Sequence, residues 1–202
     1  MEMNIPNTPE RLGHQIAFIV EIDKLKKILR QTLLTDSSRQ ENDAEHSWHL
    51  SLMAMVLLEY APKAVDLLTI LKMVLVHDLV EIDAGDTYIY DEQGHTDKAA
   101  REQKAADRIF ALLPPDQAAE LRACWEEFEA RQTPEAKYAA ALDRLHPLLH
   151  NIYSQGRMWH HHGITSDRVL KRNQPLFSET PALWQFAEEL IRESVRRGYL
   201  TQ

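Results

Sequence analysis

Apolar residues return every three or four positions along most of this chain, the spacing that places them on one face of an α-helix. From Pro9 and Glu10 the pattern predicts a helix through Ile16, Ile19 and Val20 and on to Arg30. The polar stretch TDSSRQEND, Thr35 to Asp43, reads as a loop. A second helix is predicted from near Ala44 through Trp48, Leu52, Met55 and Val56 to Glu59, stopped by Pro62, which cannot continue the backbone bonding. The next segment, Lys63 to Val80, is so densely apolar that it reads as the central helix, covered on several sides. It ends at Asp83-Ala-Gly-Asp86, where Gly85 accepts a left-handed conformation.

Beyond a loop at Thr87 to His95, which carries Tyr88 and Tyr90, helices are predicted over Thr96 to Leu113, Pro115 to Arg131 and Pro134 to Tyr153. Gly156 to Gly163, with Trp159 and three consecutive histidines, reads as a packed loop. Ser166 to Lys171 reads as a short helix and Pro181 to Arg197 as a final amphipathic one. No run of β-branched residues in strict alternation predicts a strand. The fold class is therefore all-α, an irregular globular bundle of roughly seven or eight helices.

Composition narrows the class. The chain has 202 residues, 44% hydrophobic and 27% charged, the mixture of one soluble globular domain, with no linker or repeat to divide it. Asp and Glu outnumber Lys and Arg by 31 to 23, a net charge of -8 that repels a phosphate backbone. The basic clusters Lys24 to Arg30 and Arg192 to Arg197 have acidic neighbours and read as solvated helix faces, so no nucleic-acid partner is expected. Cys124, the single cysteine, cannot form an internal disulfide, and Met1 to Pro9 lacks the order of a signal peptide, so a cytoplasmic location is expected. No run approaches the roughly 18 apolar residues of a membrane span.

Candidate chemistry centres on His77-Asp78 in LKMVLVHDLVEIDAGD. Two adjacent ionisable residues in so apolar a run are costly to bury unless something neutralises or coordinates them, and a metal ion does both. Neighbours on a helix point roughly 100° apart, so one ion must sit between their directions and draw further ligands from other helices. His46, with His49 three residues on, and Asp143 in YAAALDRLHPLL are further donors. A mixed imidazole and carboxylate set suits manganese, cobalt, iron, zinc or magnesium. Without thiolates it points away from a closed structural zinc site and toward an open, catalytic ion.

RQENDAEHSWH at Arg39 to His49, VHDLVEIDAGD at Val76 to Asp86 and EAKYAAALDRLHPLLHN at Glu135 to Asn151 together resemble the HD-domain superfamily of metal-dependent phosphohydrolases. They are most similar to the bacterial 5'-deoxynucleotidases and their eukaryotic HD-domain-containing relatives. The resemblance implies one domain over residues 1–202, with a metal-site core at about 25–151 and a helical extension at 152–202. It makes His46, His77, Asp78 and Asp143 the ligands of one divalent ion, Glu81 the residue that orients or deprotonates the attacking water, and Asp86 its assistant. Arg30 matches the position of an arginine near the substrate phosphate; a tryptophan follows it in those enzymes, whereas Gln31 follows it here.

Arg39 and His162 are further candidates for substrate contact, with a pairing of Arg39 and Glu41 as the alternative. His49 reads as a core histidine or one that braces a ligand. Tyr88 and Tyr90 offer faces to a base or to a core edge. The expected substrate is a small phosphomonoester, nucleoside 5'-monophosphates first, and the resemblance implies a homodimer. Two alternatives stay open: hydrolysis of triphosphates, cyclic dinucleotides or guanosine tetraphosphate, and a non-catalytic metal- and nucleotide-binding module.

Overall fold

Side-chain caps and prolines fix where several helices begin. The computed structural model describes residues 9–202, and the reading of the segment before Pro9 lies outside them. Helix α1 (Glu10–Ile22) follows Pro9 and tightens into a 3-10 turn, Asp23–Lys27. The chain then extends as β1 (Leu29–Leu33) and returns as β2 (Gln40–Asn42), antiparallel, with Leu29 opposite Asn42 and Leu33 opposite Gln40. This corrects the expected helix through Arg30: the arginine stands on a strand. Leu25, Ile28 and Leu29 are spaced as a helix would space them, and strands this short offer no alternation to read.

Asn42 and Glu45 form a reciprocal capping box that starts α2 (Asp43–Val56). Asp66 accepts from the backbone N–H groups of Leu68 and Thr69 and starts α3 (Leu67–Val76). The predicted continuation to Val80 does not hold. From Val76 the bonding tightens to i→i+3, Leu79 N–H to Val76 and Glu81 N–H to Asp78, before the short α4 (Glu81–Ala84). Gly85 then reverses the chain at φ 75°. Helices α5 (Lys98–Phe110), α6 (Pro115–Ala130) and α7 (Pro134–Tyr153) follow, the last capped by the Thr133 hydroxyl. The three-histidine segment forms a short α8 (Arg157–His161) where a packed loop was expected; α9 (Ser166–Asn173) and α10 (Pro181–Arg196) complete the chain.

The fold is all-α, with a small hairpin as its only sheet among the described residues. Helix α3 packs against α2, α6 and α7 and feeds both parts of the core. Ile70, Met73 and Val74 join Leu50, Tyr138, Leu142 and Trp159 on one side. Val76, Leu79 and Val80 join Phe18, Ile109, Phe110 and Trp125 on the other. Its C-terminal end is thus pinned at the junction, beside α2 and α7. No helix among the described residues is long and apolar enough to cross a membrane.

Candidate metal centre and substrate cavity

Three elements bring the polar groups together at that junction. His46 sits in the first turns of α2, His77 and Asp78 where α3 tightens, Asp143 midway along α7, and all four are buried. His77 Nδ1 lies 2.9 Å from the Val74 carbonyl and donates to it, so Nε2 faces the centre, 3.1 Å from Asp78 Oδ1 and 3.8 Å from Asp143 Oδ1. His46 Nε2 lies 3.0 Å from Asp143 Oδ1 and 3.9 Å from Asp78 Oδ2. The tight turn after Val76 is what lets two adjacent side chains reach one place.

The donors fit a divalent ion. His46, His77 and Asp143 each offer one ligand atom within 4.8 Å of the others, and buried His77 Nε2 has no aligned hydrogen-bond partner. Burial resists the charge of Asp143, but Arg144, 2.7 Å away, with His46 and His77, holds its pKa well below the carboxylate range. Burial likewise resists the charge of Asp78, which His77 and Arg30 keep low.

Arg30 reaches into the same cluster from β1. Its Nη1 donates to Asp78 Oδ2 at 2.8 Å and Asp43 Oδ1 at 3.1 Å, and Nη2 stands 3.9 Å from Asp143 Oδ1. Asp43, buried in the first turn of α2, escaped the sequence reading because an acidic residue at a helix start is ordinarily a cap. Burial and the charge of Asp78 push its pKa to about 7. Glu81 is buried too, and burial with the charges of Asp78 and Asp43 raises its pKa well above the usual carboxylate range. Asp86 is raised by burial and Asp78, an effect Arg30 partly offsets.

A cavity of about 400 Å³ opens over this cluster, with Arg30, His77, Asp78, Glu81, Asp86 and Asp143 on its floor. Its walls carry Lys98, Arg131, Arg144, Lys171 and Arg172 against Glu102 and Glu129, an excess of basic side chains in a chain of net charge -8. Those basic residues come from four separate stretches, and no local pattern announces them. Tyr88, Tyr90 and Trp159 add aromatic surface. A smaller cavity shares Gln31, Tyr88 and Tyr90 and is lined by His162, whose ring meets Tyr88 at 4.5 Å between centroids. The structure does not bring Arg39 to the cavity. Its exposed guanidinium pairs with Glu45 at 2.6 Å, not with Glu41, which is buried.

Comparison with known proteins places the chain in a family. The HD domain family model matches residues 22–184. The human 5'-deoxynucleotidase HDDC2 is 30% identical over 135 residues, a stretch that covers 66% of this chain and 65% of the human protein. The 1.37 Å crystal structure of a predicted metal-dependent phosphohydrolase from Magnetospirillum magnetotacticum superposes with a TM-score of 0.93 at 56% identity. That match covers 98% of this chain and 100% of the other. A conserved hypothetical protein of Pyrococcus furiosus, 24% identical with a TM-score of 0.55 over 89% of this chain and 98% of its own, shares the fold.

Proposed function

The chain belongs to the HD-domain family, and on that premise we propose that it is a metal-dependent phosphohydrolase acting on small phosphomonoesters, nucleoside 5'-monophosphates first. One observation carries the reading: a buried His, His, Asp donor set meets a cavity that His77 and Asp143 of that set line, and whose other lining residues include more basic than acidic side chains. The names of the human and Magnetospirillum relatives support it. A cavity of about 400 Å³ is of the size that encloses a small organic ligand.

In this reading His46, His77, Asp78 and Asp143 hold the divalent ion. When bound, the ion supplies positive charge for the phosphoryl oxygens and acidifies water. Arg30 is held by Asp43 and Asp78 with its guanidinium at the cavity floor, where its fork can grip two phosphate oxygens. The upward shift at Glu81 makes its carboxylate a stronger proton acceptor than an exposed glutamate, suited to take the proton of the attacking water. Asp86, whose pKa burial also raises, lines the same cavity and assists Glu81. Phosphoryl transfer asks chiefly for positioning and charge neutralisation, and these residues provide both.

The reading includes a cytoplasmic homodimer with no nucleic-acid partner. Exposed Leu12, Ile16, Ile19 and Val20 on α1, and Trp48, Leu52, Met55 and Val56 on α2, support a second copy. The test is phosphate release from nucleoside mono-, di- and triphosphates by metal-stripped protein reloaded with manganese, cobalt, zinc or magnesium, beside Asp78→Ala. Metal-dependent release from monophosphates, absent in the variant, is the expected result. Preference for triphosphates would replace the substrate class, and no release with any ion would replace the enzyme reading with a binding one.

A further inference from the structure

Behind His46, away from the cavity, β2, α2 and the second half of α7 enclose another set of donors. Glu41, His49, His146 and His150 each offer one ligand atom, all within 4.8 Å of one another. His146 Nε2 lies 2.9 Å from His49 Nδ1 and 3.5 Å from Glu41 Oε1, and His150 Nε2 lies 3.9 Å from the same oxygen. Four donors around a tetrahedral ion with bonds near 2.1 Å stand about 3.4 Å apart, the value these separations bracket. Glu41, His146 and His150 are at most 3% exposed, while half-buried His49 leaves an approach from solvent.

The chemistry favours an ion over a plain hydrogen-bonded core. The rings of His49, His146 and His150 turn nitrogens toward one another and toward the Glu41 carboxylate, a convergence of donors in one small volume. Glu41 Oε2 and His150 Nδ1 are buried without hydrogen-bond partners, a costly arrangement for a set meant only to pack. Three imidazoles and one carboxylate select zinc, cobalt or nickel over magnesium.

We propose that Glu41, His49, His146 and His150 form a second metal site, for a borderline transition ion such as zinc, and that its occupation opposes metal binding at the catalytic centre. The link is His146, whose Nδ1 lies 3.1 Å from His46 Nδ1. A hydrogen bond between two neutral rings there has room for one proton. An ion on His146 Nε2 leaves that proton on His146 Nδ1, so His46 accepts it and carries its own proton on Nε2, the atom that faces Asp143. An ion on His46 Nε2 sets the opposite pattern, with His146 Nε2 donating to His49. Each ion therefore disfavours the other, and the opposition is reciprocal.

The site is tested without any assay of activity. Metal-stripped protein carrying His77→Ala and Asp78→Ala is titrated with cobalt(II), whose tetrahedral nitrogen and oxygen complexes absorb strongly in the visible. We expect one cobalt per chain, with those bands lost when His49→Gln or His150→Gln is added. His49 is half-buried, so His49→Gln keeps the fold, which a circular-dichroism melt verifies. No visible band, or an unchanged band in both added variants, overturns the site.

The inhibitory role rests on the phosphohydrolase reading and has its own arm. Zinc added to the magnesium-loaded wild type should suppress phosphate release, and His49→Gln should raise at least tenfold the zinc required to halve its own magnesium-supported release. Equal zinc sensitivity overturns the role. Failure of phosphate release with every ion would refute the phosphohydrolase reading and leave the cobalt result standing.

Discussion

Metal uptake by the stripped protein should expel a proton from His77. The ring stands 3.1 Å from Asp78 and 3.8 Å from Asp143. Burial works against its charge, yet the two carboxylates raise its pKa from 6.5 to about 10. In the metal-free protein the ring is therefore an imidazolium at neutral pH, and Nε2 cannot ligate until that proton leaves. The apparent affinity should rise about tenfold per pH unit between roughly pH 6.5 and 9, about 1.4 kcal/mol for each unit. Isothermal titration at about pH 7.5 in two buffers of different ionisation heat counts the protons. About one released per ion is expected from His77; none released, with affinity flat in pH, would refute its place as a ligand that competes with its proton. The same shift has a stability consequence of fixed sign. A histidine pKa raised on folding stabilises the metal-free fold fully below about pH 6.5, and that contribution fades as pH rises through about 10. The metal-free Tm should fall across that window more steeply than that of the loaded protein.

Glu81→Gln should lower kcat by about a hundredfold or more while metal content stays at the wild-type level, as metal analysis beside steady-state kinetics would reveal; loss of the ion would make Glu81 a ligand instead. Arg30→Lys keeps the charge and loses the fork, so kcat/KM should drop about tenfold to a hundredfold; unchanged kinetics would remove Arg30 from phosphate binding. Asp43→Asn removes a carboxyl whose pKa stands at about 7. A raised carboxyl pKa makes the metal-free fold lose stability as pH rises from about 4 to 7, so the variant should show a flatter Tm profile over that range. Asn42→Ala breaks the capping box and should cost about 1 kcal/mol by urea denaturation, with activity retained; a loss several times larger would mean that the hairpin depends on Asn42 for more than the cap.

The amino-acid sequence by itself determined most of the helical architecture. Apolar residues three and four apart, with Asn42, Asp66 and Thr133 at helix starts, are local signals, and the helices follow them within a few residues. A charged pair in an apolar run likewise marks His77-Asp78 from local chemistry alone, since burial of such a pair demands a partner. Tertiary structure decided what depends on neighbours distant in sequence. Arg30 lies on a strand because β2 is there to pair with it, and pairing energy is invisible to a pattern read one segment at a time. Asp43 is more than a cap because α2 sets it against Asp78 and Arg30. The basic residues of the cavity walls are spread between Lys98 and Arg172, and the cluster around Glu41 unites residues about a hundred positions apart. Such groups acquire their meaning from mutual distance and burial, which only the folded chain supplies.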